Sequence, residues 1–126
     1  MKIISGKDIG YVPASHENPE APGVLKKILL CKDDFMDGRA QMLNWALLPE
    51  GNSFQPHYHE DMQETFVVMR GRAKIAADAE EAVLEAGDAV IIPAGSIHRM
   101  ENIGCGDVEY IALGISLGRG GRTVVV

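Results

Sequence analysis

The 126-residue sequence predicts an all-β fold of sandwich or barrel type. Two observations carry this. Apolar runs of about five to ten residues recur along the chain, each cut by Gly, Pro, Asn or Asp. No stretch of ten or more residues holds a 3.6-residue apolar period between helix caps, which leaves no place for a long helix. Many short strands with close reversals build a sandwich or a barrel.

In chain order the strands are expected at 24–31, 40–48, 64–70, 72–77, 82–85, 88–92, 97–101, 108–115 and 122–126. Residues 32–38, Lys-Asp-Asp-Phe-Met-Asp-Gly, read as the turn between the first two. Gly71 and the run Asp78-Ala79-Glu80-Glu81 mark further reversals. Residues 8–23, with Pro13, Pro19 and Pro22, read as an irregular arm. Gly118-Arg119-Gly120-Gly121 is a hinge before the apolar end Thr123-Val124-Val125-Val126. That end must pair, either within its own sheet or on a neighbouring subunit, because an open apolar edge invites aggregation.

Length and composition narrow the function classes. The chain has room for one domain, 1–126, of a size that buries roughly two-thirds of its unfolded surface. A net charge of −6 disfavours nucleic acid and anionic membrane surfaces as partners, and no apolar run is long enough to span a bilayer. The first residues carry no secretory pattern, so the expected location is cytoplasmic. Cys31 and Cys105 are then expected as free, buried, reduced thiols.

Three of the four histidines fall in two windows. In the first, His57-Tyr58-His59, side chains alternate on an extended backbone, so both imidazoles share one face. Glu64 opens the next strand after a short polar turn that can return it to that face. Two imidazoles and a carboxylate converging there make a ready ligand set for a divalent metal. In the second window, Pro93 and Gly95 set a tight corner that launches a strand bearing His98, Met100 and Asn102 on one face.

These windows resemble the two motifs of the cupin family. The first runs Gly51, five residues, His57-x-His59, four residues, Glu64, six residues, Gly71. The second runs Gly87, five residues, Pro93-x-Gly95, two residues, His98, three residues, Asn102. Chance agreement at ten such positions is on the order of 10⁻¹³ per placement. The resemblance, covering motif 1 at 51–71 and motif 2 at 87–102, implies an antiparallel double-stranded β-helix, the jelly-roll barrel. It implies His57, His59, Glu64 and His98 as metal ligands, for Mn, Fe, Ni, Co, Cu or Zn, with positions left open for water or a small-molecule ligand. It also implies a homodimer paired through sheet edges.

The reaction stays open at this level. The resemblance suggests a small metalloenzyme of dioxygenase, decarboxylase or sugar-isomerase type, and equally a non-enzymatic cupin that binds or senses a small ligand. No Ser–His or Cys–His nucleophile pattern and no phosphate-binding Gly loop competes. Parity places Phe66, Val68 and Met100 toward the cavity, and Gln55 near the ligands as a possible hydrogen-bonding residue. Asn102 is expected to satisfy backbone at the barrel rim. His16, alone in the arm, is expected on the surface. None of Arg70, Arg99, Arg119 and Arg122 points securely inward, so a sugar phosphate or dicarboxylate has no clear anchor.

Overall fold

The computed structural model describes residues 1–36 and 38–126; Asp37, inside the expected turn, lies outside them. Eleven strands are formed among the described residues: β1 Val12–Pro13, β2 Leu25–Cys31, β3 Ala40–Leu48, β4 His57–His59, β5 Met62–Arg70, β6 Arg72–Ala77, β7 Glu80–Glu85, β8 Ala89–Ile92, β9 His98–Asn102, β10 Val108–Ser116 and β11 Thr123–Val125. Two short 3₁₀ turns, Gly6–Asp8 and Lys32–Asp34, are the only helical pieces described. The strands form two antiparallel sheets, ordered β1-β2-β3-β10-β5-β8 and β11-β4-β9-β6-β7. This is the jelly roll expected from the motifs.

Alternation fixes which side chains meet inside. On β3 the buried set is Ala40, Asn44, Ala46 and Leu48; on β5 it is Glu64, Phe66 and Val68; on β10 it is Val108, Tyr110 and Ala112. Cross-strand register lines these up in rows. Leu48 faces Val108, Ala46 and Val68 flank Tyr110, and Asn44 and Phe66 flank Ala112. From the second sheet Ala73, Ile75, Leu84 and Met100 complete an apolar core at one end of the barrel. Polar residues replace apolar ones in the last rows, and there the cavity opens.

Two turns show why glycine stands where it does. Gly71 has φ of 87°, and a Cβ there would lie 2.7 Å from the Asp107 carbonyl oxygen, so the β5–β6 reversal admits no side chain. Gly95 has φ of 82° at the corner before β9, and its N–H donates to the His59 carbonyl at 2.7 Å. Asn102 ties the rim together: Nδ2 donates to the carbonyls of Leu48 and Gly106, and Oδ1 accepts from Gly104 N–H.

Several expectations are corrected. The arm is less irregular than its prolines suggest, since Val12 and Pro13 pair with Lys26 and Leu25. The terminal strand is no correction: it takes the first of its two expected alternatives and pairs inside its own chain, Thr123 opposite His59 and Val125 opposite His57. Cys31 and Cys105 are free but exposed, not buried, because each sits at the end of a strand or in a loop and not on an inward row. Val68 and Met100 are fully buried in the core below the cavity, whereas Phe66 lines the cavity itself.

Candidate metal centre and its cavity

His57 and His98 are direct partners in the β4–β9 register, which places their rings on one inner face. His59 is two residues along β4, and Glu64 enters from β5 in the opposite sheet. One ligand atom from each of the four lies within 4.8 Å of the others, and all four residues are buried. This is a group that could hold a metal ion, assembled from the residues that spacing singled out.

The orientation of each ring is set from behind. His57 Nδ1 donates to the Gln55 carbonyl at 2.7 Å, and His98 Nδ1 donates to the Ser96 carbonyl at 2.9 Å. A carbonyl oxygen can only accept, so both rings carry their proton on Nδ1 and turn an unprotonated Nε2 inward when neutral. His59 Nδ1 meets the Thr123 hydroxyl at 2.8 Å, a partner able to donate or accept. Gln55 therefore acts through its main chain; its side chain is exposed. Thr123 had no sequence signal, since only the β4–β11 register brings it to His59.

The inward atoms are left in need of a cation. His57 Nε2 is buried without any hydrogen-bond partner. His59 Nε2 and His98 Nε2 lie 2.9 and 3.3 Å from the same oxygen, Glu64 Oε2. For neutral His98 that puts a nitrogen lone pair against a carboxylate oxygen, an arrangement stabilised only by a proton or a metal ion between them. Three imidazole nitrogens and one carboxylate suit a first-row divalent ion, so the donor chemistry fits.

The charges respond to burial and to each other. Burial pushes the Glu64 carboxyl up, but hydrogen bonds and charge from His59 and His98 outweigh it and hold it at about 2. Burial lowers His57 to about 3, helped by neighbouring His16 and resisted by the Gln55 carbonyl. Burial likewise lowers His16 to about 4, against the pull of Glu64. At neutral pH the His57 and His16 rings are therefore uncharged.

His16 is a correction to the sequence reading. It is not on the surface: its side chain is only 13% exposed, and its ring stacks on His57 with centroids 3.8 Å apart and an interplanar angle of 17°. The reason is the adjacent Glu17, whose buried carboxylate accepts from Gly23 N–H at 2.7 Å and from Gln55 N–H at 2.8 Å. That clamp folds the arm onto the barrel mouth. Phe54 was also missed. It is fully buried and touches the rings of His16, His57, Phe66 and His98, which keeps water from their backs.

A cavity of about 130 Å³ lies beside the cluster, walled by Glu64, His59, Phe66, Tyr110, His16 and residues of β2 and β3. Two polar residues there have no partner. Lys26, half-buried on β2, makes no ion pair among the described residues, and burial lowers its ammonium against the pull of Glu64. Asn44 is 6% exposed and its Oδ1 is buried and unbonded. The expectation of no inward cation is thus overturned by Lys26. Lys26 shares parity with buried Val24 and pairs with inward-facing Ala46, which turns it toward the cavity. Arg99 points out, as expected, and bonds the Ser53 hydroxyl.

Known proteins resemble the chain to different degrees. The chain is 27% identical over 95 residues to an oxalate-binding protein of Thermotoga maritima, spanning 75% of this chain and 78% of that one. A solved structure described as a predicted oxalate decarboxylase from the same organism superposes with a TM-score of 0.81 at 26% identity, over 92% of this chain and all of the other. The polyketide cyclase RemF of Streptomyces resistomycificus matches with a TM-score of 0.78 at 19% identity, over all of this chain and 87% of its own, a likeness of fold alone. The sequence pattern of the Cupin domain family matches residues 44–114, which takes in both histidine windows and most of the inner strands. The chain belongs to the cupin family.

Proposed function

We propose that this protein is a metal-dependent cupin, one domain over residues 1–126, that holds a divalent transition metal on His57, His59, Glu64 and His98 and binds a small oxygen-bearing molecule in the adjoining cavity. The observation that carries the reading is the unpartnered, buried Nε2 of His57, aimed at the same point as the inward nitrogens of His59 and His98. A buried acceptor left without a donor is costly, and an ion satisfies all of these atoms at once.

When bound, such an ion supplies Lewis-acid or redox chemistry to a coordinated oxygen. The chain's own residues do the rest. Gln55, Ser96 and Thr123 fix the three rings. Phe54 and Phe66 exclude water. Burial pushes the Tyr110 hydroxyl upward, with Glu64 and Glu17 adding to it, so it stays protonated as a donor in the cavity wall.

Among dioxygenase, decarboxylase, isomerase and plain binding roles, one observation favours binding. Glu64 is the only carboxylate among the described residues lining the cavity, and it is committed to the cluster. No second carboxyl group among the described residues lines the cavity, so the paired-carboxylate arrangement for moving a proton to and from a small acid is not assembled there. The name of the Thermotoga maritima relative, an oxalate-binding protein, agrees with that reading. A cytoplasmic homodimer completes the proposal, and a monomeric mass by light scattering at micromolar concentration would refute the dimer.

Elemental analysis tests the centre. Purified protein offered Mn²⁺, Fe²⁺, Ni²⁺, Co²⁺, Cu²⁺ or Zn²⁺ in turn should retain close to one equivalent of at least one ion. Retention below a few tenths of an equivalent for all of them would sink the proposal.

A further inference from the structure

The β2–β3 wall of the cavity carries two unsatisfied groups of opposite demand. The Lys26 ammonium has no counter-ion among the described residues and lines the cavity from β2. Asn44 Oδ1 is buried without a donor on β3, and its residue is more than nine-tenths buried. A buried acceptor calls for an O–H or N–H, and a half-buried cation calls for an anion. The volume limits what can bring both. About 130 Å³ is close to the roughly 150 Å³ cavity that holds one benzene, so the ligand has about six non-hydrogen atoms. In so small a space every wall is within reach of the same molecule.

We propose that this wall is a subsite for a small α-hydroxycarboxylate, with the carboxylate on Lys26 and the hydroxyl donating to Asn44 Oδ1. The inference rests on the metal reading above and narrows it. Adjacent hydroxyl and carboxylate oxygens are also what a metal centre beside Glu64 would accept as a chelate. A fully ionised dicarboxylate such as oxalate matches Lys26 but has no proton for Asn44, and leaves that oxygen unpaired. A methyl ether of the hydroxy acid has the same fault. A sugar phosphate is too large.

The test is titration calorimetry on protein loaded with Mn²⁺, or with whichever ion it retains best, using glycolate, methoxyacetate and oxalate as probes. Metal content is measured in every sample before and after titration. Glycolate should bind at least tenfold more tightly than methoxyacetate and oxalate, the discrimination expected when a buried acceptor is left unmade. Asn44→Leu should bring the glycolate-to-methoxyacetate ratio close to one without loss of metal. Lys26→Met should weaken both ligands by tenfold or more and keep their ratio. Oxalate binding as tightly as glycolate, the result expected if the Asn44 amide turns its NH₂ inward, overturns the proposal. So does a ratio that survives Asn44→Leu. Protein that holds metal but shows no such ratio refutes the subsite alone, whereas protein that holds no metal refutes the centre and the subsite together.

Discussion

The two ends of the cavity are built on opposite principles. At the histidine end, each ring has its rear nitrogen tied to a carbonyl or hydroxyl within 2.9 Å, which turns the front nitrogens toward Glu64 and leaves that of His57 without a partner. At the Lys26–Asn44 end, the side chains have no protein partner to hold them. The first end is organised before anything binds, which is how metal ligands acquire affinity. The second end gains its hydrogen bonds only from what enters. A rigid end that grips and an open end that selects are a sensible division for a binding site, because specificity follows from polar groups that a wrong ligand leaves unpaired.

The largest expected effect lies at the rigid end. With the free ion a thousandfold above its Kd, binding to the folded state alone adds about 4 kcal/mol, or on the order of 10–20 °C in Tm. Differential scanning calorimetry of chelator-stripped and reloaded protein measures it. His98→Ala should abolish the increment while the circular dichroism spectrum keeps its β form. A reloading shift below about 2 °C in the wild type, or one that persists undiminished in His98→Ala, would break the contrast between the ends.

The same division explains what was legible in the sequence. All nine expected strands coincide with observed ones to within two residues at either end, because period-two alternation and glycine turns are local signals. His57, His59 and Glu64 could be read for a similar reason, since short spacings in one window carry them, and the family pattern joins His98 to them from the second window. Thr123, Phe54 and His16 could not. Thr123 reaches His59 across 64 residues of chain, and His16 reaches His57 only because Glu17 clamps the arm. Lys26 and Asn44 were hidden because their importance lies in a missing partner, which is a property of the packed interior and not of the chain order.

A second prediction concerns acid. His16 and His57 have folded-state values of about 4 and about 3, both below the ordinary 6.5, with burial as the main cause. Between about pH 4 and 6.5 the unfolded chain therefore binds more protons than the folded one, so stability rises with pH across that window. It is full above 6.5 and is lost as pH falls toward 4. For His16 alone the shift corresponds to about 3 kcal/mol as an upper figure. Urea unfolding of metal-free protein at pH 7.0, 5.5 and 4.5 should show midpoints falling in that order. In His16→Phe, which keeps a ring over His57, the fall should be smaller. Identical midpoints at pH 7.0 and 5.5 would contradict the neutral, buried state of both rings.

The smallest effect sharpens the comparison most. Thr123→Val removes one oxygen and nearly preserves volume, on a strand whose register with β4 is held by main-chain bonds and by Asp61, which accepts from Arg119 N–H and the Ser116 hydroxyl. The fold should tolerate it, at about 1 kcal/mol for the lost hydrogen bond. His59 would lose the partner that sets its ring while His57 and His98 keep theirs. If the histidine end works by prior orientation, metal affinity in a competition titration with a chromophoric chelator should fall about tenfold. The glycolate-to-methoxyacetate ratio of the metal-loaded variant should not move, since Lys26 and Asn44 are untouched. Unchanged metal affinity would mean that the ion orients His59 for itself, and that the rear hydrogen bond is a consequence of the fold and not a device of the site.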